Sequence, residues 1–210
     1  QKLCSITTGV LRAPARSGHG EYAGICSNHL ATSPDNSTVF VFVRDPGIGF
    51  RPPENAQVPM IMVGAGTGLA PYRGFLQERA TLKHQGSSVA ESLLFFGCRN
   101  PNADYLYADE LREFESLGVA RVVTAFSRVP GQPRQYVQDA IQEHGEEVWS
   151  LLRQGAYVFV CGNARTIAPA VRAALTAIHH QQAGGPMGDS EAWLANLRAE
   201  NRYVEDIWGG

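Results

Sequence analysis

The stretch Val58–Phe75, VPMIMVGAGTGLAPYRGF, leaves this chain few folds to choose from. Met60–Val63 is apolar without alternation, as a parallel strand buried on both faces must be. It runs straight into Gly64, Gly66 and Gly68, then Pro71, then residues with helical spacing. Glycines so placed let a backbone approach a bound group closely, and the N–H groups of a helix starting there point at that group. Pro71 suits a first helical turn, where its missing donor costs nothing. The pattern is G-x-G-x-G and not G-x-G-x-x-G, so it fits both a pyrophosphate cradle and a glycine-rich turn that binds nothing. The rest of the chain has to decide between them.

From residue 58 onward strands alternate with helices. The pattern predicts a helix over Tyr72–Gln85 ending at Gly86, a strand Leu93–Gly97, a helix Asp109–Leu117 and a strand Arg121–Phe126. Next come a helix Gln135–Arg153 with a break expected at Gly145, a strand Ala156–Cys161 and a helix Thr166–Gln181. Gly184-Gly185-Pro186 ends that helix, Asp189 or Ser190 caps another over Glu191–Glu200, and Tyr203–Trp208 closes the chain. This order implies an α/β fold, a five-stranded doubly wound parallel sheet with right-handed crossovers and helices on both faces.

Residues 1–57 follow different rules. Ser5–Leu11 and Thr38–Arg44 read as strands, with a short helix over 28–32 that Ser27 and Asn28 would cap. They resemble the last strands of an antiparallel β-barrel, and Asp45–Pro53 reads as the crossing into the second domain, 58–210. The first residues, QKLCSITTGV, carry neither an initiator Met nor a leader pattern and are expected to be a cut within a longer polypeptide.

Composition excludes several classes. A net charge of −2 without a Lys/Arg cluster argues against a nucleic-acid partner, and no apolar run approaches the length of a membrane span. Cys4, Cys26, Cys98 and Cys161 are far apart, which points to a reduced, intracellular setting. The histidines show no ligand spacing, and His179-His180 reads as a solvated pair near a helix end; no metal site is expected.

In a doubly wound sheet, ligands sit beyond the carboxyl ends of the strands. The residues leaving the strands are Gly64-Ala-Gly-Thr-Gly68, Gly97-Cys98-Arg99, Ser127-Arg128 and Cys161-Gly162-Asn163. Ser127, Arg128, Arg134 and Tyr136 offer a hydroxyl, two guanidinium forks and a phenol, a set suited to a phosphate monoester. No acidic residue lies between Phe126 and Gln138 to hold a free ribose 2′-OH, so NADP is favoured over NAD.

GAGTGLAPYRGF, FFGCRNPNADYLYADEL, TAFSRVPGQPRQYVQ, VFVCGNARTIAPAV and the ending RYVEDIWGG resemble, in this order, the NADP-binding region of the diflavin NADPH reductase family, cytochrome P450 reductase-like and related to ferredoxin–NADP reductase. Within that family they are most similar to the reductase part of self-sufficient P450 enzymes. The resemblance implies an NADP(H) site at Gly64, Gly66, Thr67, Gly68, Arg99, Ser127, Arg128, Arg134, Tyr136, Gln138 and Asn163. It implies that Cys161 and Asp206 assist hydride passage and that Trp208 stacks on a flavin; a remnant FAD site would comprise Gly24, Cys26, Ser27 and Trp208. Taken singly, Cys161 also fits a small buried apolar residue and Asp206 a surface acid.

The resemblance further implies FAD in the intact enzyme, and FMN and P450 haem domains as partners on the same polypeptide. Three departures stand out. Arg134 replaces the family's common Lys, Asn163 replaces its Asp, and the family's Arg-x-Tyr-Ser flavin motif is missing. The chain is therefore expected to bind NADP(H) and to hold FAD weakly or not at all. Rival readings are a reductase of another acceptor, such as sulfite reductase, and a non-catalytic NADP-binding sensor.

Overall fold

A computed structural model of the chain describes residues 4–43 and 49–209. The chain divides into two compact units, Gln1–Asp45 and Pro46–Gly210.

In the first unit β1 (Arg12–Pro14) pairs antiparallel with β2 (Glu21–Ala23), and α1 (Ile25–Thr32) follows. The expected strands Ser5–Leu11 and Thr38–Arg44 are not formed among the described residues, and Arg44 lies outside them, as do Asp45–Ile48 of the expected crossing. Val39–Val43 keep the alternating, β-branched composition of a strand, but Phe40 is 97% exposed. Such a segment becomes a strand only when a neighbour pairs with it as a ladder, and no sheet among the described residues includes it. The short helix starts earlier than expected. Ser27 and Asn28 sit inside it, their side chains bonding Gly24 O at 3.3 and 2.8 Å, while the Ser27 hydroxyl accepts the Leu11 N–H at 3.1 Å.

The second unit begins its regular structure with β3 (Met60–Ala65), a 3₁₀ turn (Gly66–Leu69) and α2 (Ala70–His84). Then come β4 (Ser92–Cys98), α3 (Ala108–Ser116), β5 (Ala120–Phe126), α4 (Val137–Glu143) and α5 (Gly145–Arg153). The chain continues with β6 (Tyr157–Asn163), α6 (Ile167–Ala183), α7 (Met187–Ala199) and β7 (Tyr203–Trp208). The sheet order is β5-β4-β3-β6-β7, every pair parallel.

Alternate residues of each strand serve two cores. Ile61 and Val63 pack with α4, α5, α6 and α7, whereas Met60 and Met62 pack with α2 and α3. Both sets are apolar because both faces are covered, which is why β3 reads as an unbroken apolar run. On the α2 side Phe159 meets the rings of Phe50 and Phe75 edge-on, each at 5.3 Å, and those two rings lie tilted to one another at 5.7 Å. Arg79 is buried in α2 and donates to the carbonyls of Ala56 and Val58, fixing the segment that leads into β3.

Two local expectations need correcting. α7 starts at Met187 behind Pro186, so Asp189 and Ser190 lie within its first turn and cap nothing. Ser190 is fully buried, its hydroxyl 2.8 Å from His179 Nδ1. His180 is exposed as expected, whereas His179 is half-buried: its ring stacks on Trp193 at 4.5 Å and meets Trp149 edge-on at 5.4 Å. Apolar surroundings on α5 and α7, invisible in the local sequence, draw it inward, and burial lowers its pKa.

Candidate functional site

β3 is the strand from which the chain winds outward in both directions, to β4 and β5 on one side and to β6 and β7 on the other. At such a switch point the loops part, and a crevice opens beyond the carboxyl ends of the strands. A cleft of about 600 Å³ lies there, with residues from the ends of all five strands on its walls.

The glycine turn forms its floor. Gly66 has φ +55° and open space where a Cβ would stand, so it alone of the three glycines presents bare backbone outward. Gly64 and Gly68 face inward. A Cβ on Gly68 would stand 2.4 Å from the Cys161 carbonyl oxygen, and one on Gly64 would stand 2.8 Å from Gly68 O and 2.9 Å from the Tyr72 ring. Tyr72 is buried beneath, its hydroxyl hydrogen shared between the carbonyls of Val63 at 2.8 Å and Phe159 at 2.9 Å, which ties β3 to β6. Thr67 is half-buried in the same turn.

The loops after β4 and β5 form the opposite wall. Ser127 N–H donates to Cys98 O at 3.0 Å and Arg128 N–H to Arg99 O at 2.8 Å, so these loops continue the ladder beyond the sheet. Of the residues expected here, Arg99, Ser127, Tyr136 and Gln138 line the cleft, along with Asn163 and Trp208 from the β6–β7 side. Arg128 is exposed and follows Arg99 only through its backbone bond, and its side chain is not among those that line the cleft. Arg134 lines a separate crevice with Asp139 and Glu143. Asn163 Oδ1 accepts the Arg165 N–H at 2.9 Å, the role an Asp would also fill ahead of α6.

Cys161 and Asp206 are register partners across β6 and β7. The thiol is buried on the α2 side, and burial, reinforced by Asp206, pushes its pKa up to about 12, so it is a neutral S–H. Asp206 is exposed, and Trp208, two residues on, lies with its ring 3.6 Å from the Cβ position of Gly68. Gly24, Cys26 and Ser27 belong to the other unit, gathered in and just before the first turn of α1.

Sequence reasoning passed over six residues that line the cleft: the apolar Ala125, Val137 and Ile167, and the polar Asp104, Gln135 and Thr166. Asp104 carried the one available signal, an acid six residues past the end of a strand. Among the described residues no cluster of His, Cys, Asp and Glu could hold a metal ion, and no helix is long and apolar enough to cross a membrane.

The cleft suits an extended, multiply hydrogen-bonding ligand such as a dinucleotide, with bare backbone at one wall and a guanidinium at the other. Comparison with known proteins agrees. The chain is 43% identical over 209 residues to bifunctional cytochrome P450/NADPH–P450 reductase 1 of Bacillus subtilis (strain 168), covering 100% of this chain and 20% of that protein. To reductase 2 of the same organism it is 40% identical over 208 residues, 99% of this chain and 20% of that protein. The NADPH–cytochrome P450 reductase of Dictyostelium discoideum is 38% identical over 207 residues, 98% of this chain and 29% of that protein. The chain thus spans about a fifth of the length of the bifunctional relatives. Residues 62–173 match the family described as Oxidoreductase NAD-binding domain. That span opens within β3 and ends inside α6, taking in the glycine turn, both stapled loops and Asn163, and the chain belongs to this oxidoreductase NAD-binding domain family.

Proposed function

We propose that this chain is the NADP(H)-binding portion of a flavin-dependent reductase, serving NADPH-to-FAD hydride transfer with electrons continuing through FMN to a P450 haem. The observation that carries the reading is the cleft that brings Gly66, Arg99, Ser127, Tyr136, Gln138, Asn163 and Trp208 together at the strand ends. When bound, the nicotinamide cofactor supplies the hydride. The chain's own residues bind, orient and polarise. Gly66 would give a pyrophosphate room beside the backbone, while Arg99, Ser127 and Tyr136, with Arg128 from the adjoining loop, would offer a 2′-phosphate donors of matching charge. Arg134 would serve that phosphate from the side, or guard the loop with Asp139 and Glu143.

Asp206 would offer a carboxylate to a nicotinamide ring that gains positive charge on giving up hydride, and electrostatic stabilisation of that kind lowers the barrier. Cys161, whose carbonyl backs Gly68 and whose thiol is neutral, would shape the ground beneath the ring and take no proton. Trp208 covers the same spot and would yield to the nicotinamide. Gly24, Cys26 and Ser27 supply little for FAD on their own: the Ser27 hydroxyl already bonds Leu11 and Gly24, so flavin affinity of the chain alone is low.

Fusion with FMN and P450 domains on one polypeptide is favoured by the bifunctional relatives, and a reducing, cytoplasmic setting suits four free cysteines. Calorimetric titration with 2′-phospho-AMP and AMP tests the reading. The first should bind at least tenfold tighter, and Arg128→Ala should remove about one to two decades of that preference, as expected for a charge-assisted phosphate contact. Equal affinity for the two ligands would refute it.

A further inference from the structure

We propose that Asp104 is a positioning residue: it staples the loop after β4 so that Arg99 is aimed into the cleft, and it does not itself accept a ribose hydroxyl. This rests on the NADP reading of the same cleft. An acid beyond the strand adjoining the glycine-turn strand is, in dinucleotide-binding sheets, the group that holds a free ribose 2′-OH and repels a 2′-phosphate. Asp104 occupies such a place, since β4 neighbours β3 and Asp104 lines the cleft. Its hydrogen bonds point the other way.

Oδ1 accepts the Arg99 N–H at 3.0 Å and the Asn100 N–H at 2.8 Å, and Oδ2 stands 3.0 Å from the same Arg99 N–H. The carboxylate therefore spends its lone pairs on the loop's own backbone, and the N–H dipoles balance its charge. The turn closes on itself as well. Asn100 O accepts N–H groups from Ala103 at 3.1 Å and Asp104 at 3.2 Å, and Asn100 Oδ1 accepts the Asn102 N–H at 2.9 Å. Tyr105 anchors the far end, stacked on Phe96 with centroids 5.8 Å apart and edge-on to Phe126 at 6.2 Å. Arg128 N–H on Arg99 O joins the neighbouring loop to the same peptide.

A loop fixed at so many points holds one long side chain where it is useful. Arg99 is the only cationic side chain among the described residues that line the cleft. Fixing its backbone reduces the freedom a phosphate contact would otherwise have to remove. The carboxylate thus reads as an aid to anion binding, despite its sign.

The test titrates the 210-residue chain with 2′-phospho-AMP and AMP, as wild type, Asp104→Asn, Arg99→Ala and the double variant, with melting curves for each. Asparagine keeps one acceptor but turns an N–H toward the Arg99 N–H. Should Asp104→Asn not fold, Asp104→Ser, whose hydroxyl still accepts one N–H, takes its place. The expected result is about tenfold weaker binding of 2′-phospho-AMP with AMP unchanged within twofold, and no further loss of preference when Asp104→Asn is added to Arg99→Ala. Weaker AMP binding with 2′-phospho-AMP held or improved would overturn the proposal in favour of a ribose acceptor. Equal loss for both ligands, or an effect that persists undiminished in the Arg99→Ala background, would overturn it in favour of a general structural role. A wild-type chain with no preference at all would instead refute the cofactor reading on which the proposal rests.

Discussion

The turn after β3 and the loop after β4 end neighbouring strands of one sheet and face one cleft, yet they are shaped by opposite means. The turn is made by leaving atoms out: Gly64 and Gly68 have no room for a Cβ, and only Gly66 opens outward. The loop is made by adding bonds, with Asp104, Asn100 and the Arg128 peptide stitching it in place. The first is bound up with the fold's stability, because its close contacts are with the backbone of β6 and with Tyr72. The second governs what the cleft recognises, and only weakly whether the sheet forms. A glycine motif next to a polar loop therefore mixes two constraints that a string of letters presents as one.

The sharpest way to break this contrast is Gly68→Ala. A methyl forced against the Cys161 carbonyl must push the glycine turn off β6, and overpacking of this kind costs about 3 kcal/mol. Urea unfolding measures it, and a loss under 1 kcal/mol would mean the turn yields easily. Gly66→Ala should cost only about 1 kcal/mol, from a left-handed backbone at φ +55°, while its methyl projects into the cleft and weakens NADP+ binding. A Gly66→Ala loss as large as that of Gly68→Ala would erase the distinction.

The smallest effect concerns two buried thiols, Cys98 at the end of β4 and Cys161 in β6. Burial, assisted by Asp104 for Cys98 and Asp206 for Cys161, pushes both pKa values up to about 12. A folded-state pKa above the ordinary 9.0 leaves stability intact below pH 9 and removes it as pH rises toward 12. At pH 8 a thiol reagent should react quickly with exposed Cys4 and Cys26, and with Cys98 and Cys161 only after unfolding. Rapid reaction of Cys98 alone would show the stitched loop opening where the turn does not.

The parallel sheet was legible because its strands are buried on both faces, so Met60–Val63 and Leu93–Phe96 read as apolar runs whatever their neighbours. The alternating Thr38–Val43 misled for the complementary reason, since alternation records the pairing a segment prefers and not whether a strand ladder forms. Cleft residues at strand ends were within reach of the switch-point rule, as Arg99, Ser127 and Asn163 illustrate. Asp104 escaped because its meaning lies in which backbone N–H groups it accepts, and nothing in the order of residues encodes that. His179 escaped because the two indoles around it come from distant helices.

Strand order carries a last consequence, for synthesis. The central strand finds one neighbour soon after it is made, but its other register partners, Val158 opposite Ile61 and Cys161 opposite Gly64, are translated about a hundred residues later. At a ribosomal pace of 5–20 residues per second the nascent chain waits roughly 5–20 s with one flank of β3 bare and Gly68 without the carbonyl it is cut to fit. During that interval the half-built sheet offers an unpaired apolar edge to any chaperone or neighbouring nascent chain, and arrival of β6 ends the exposure.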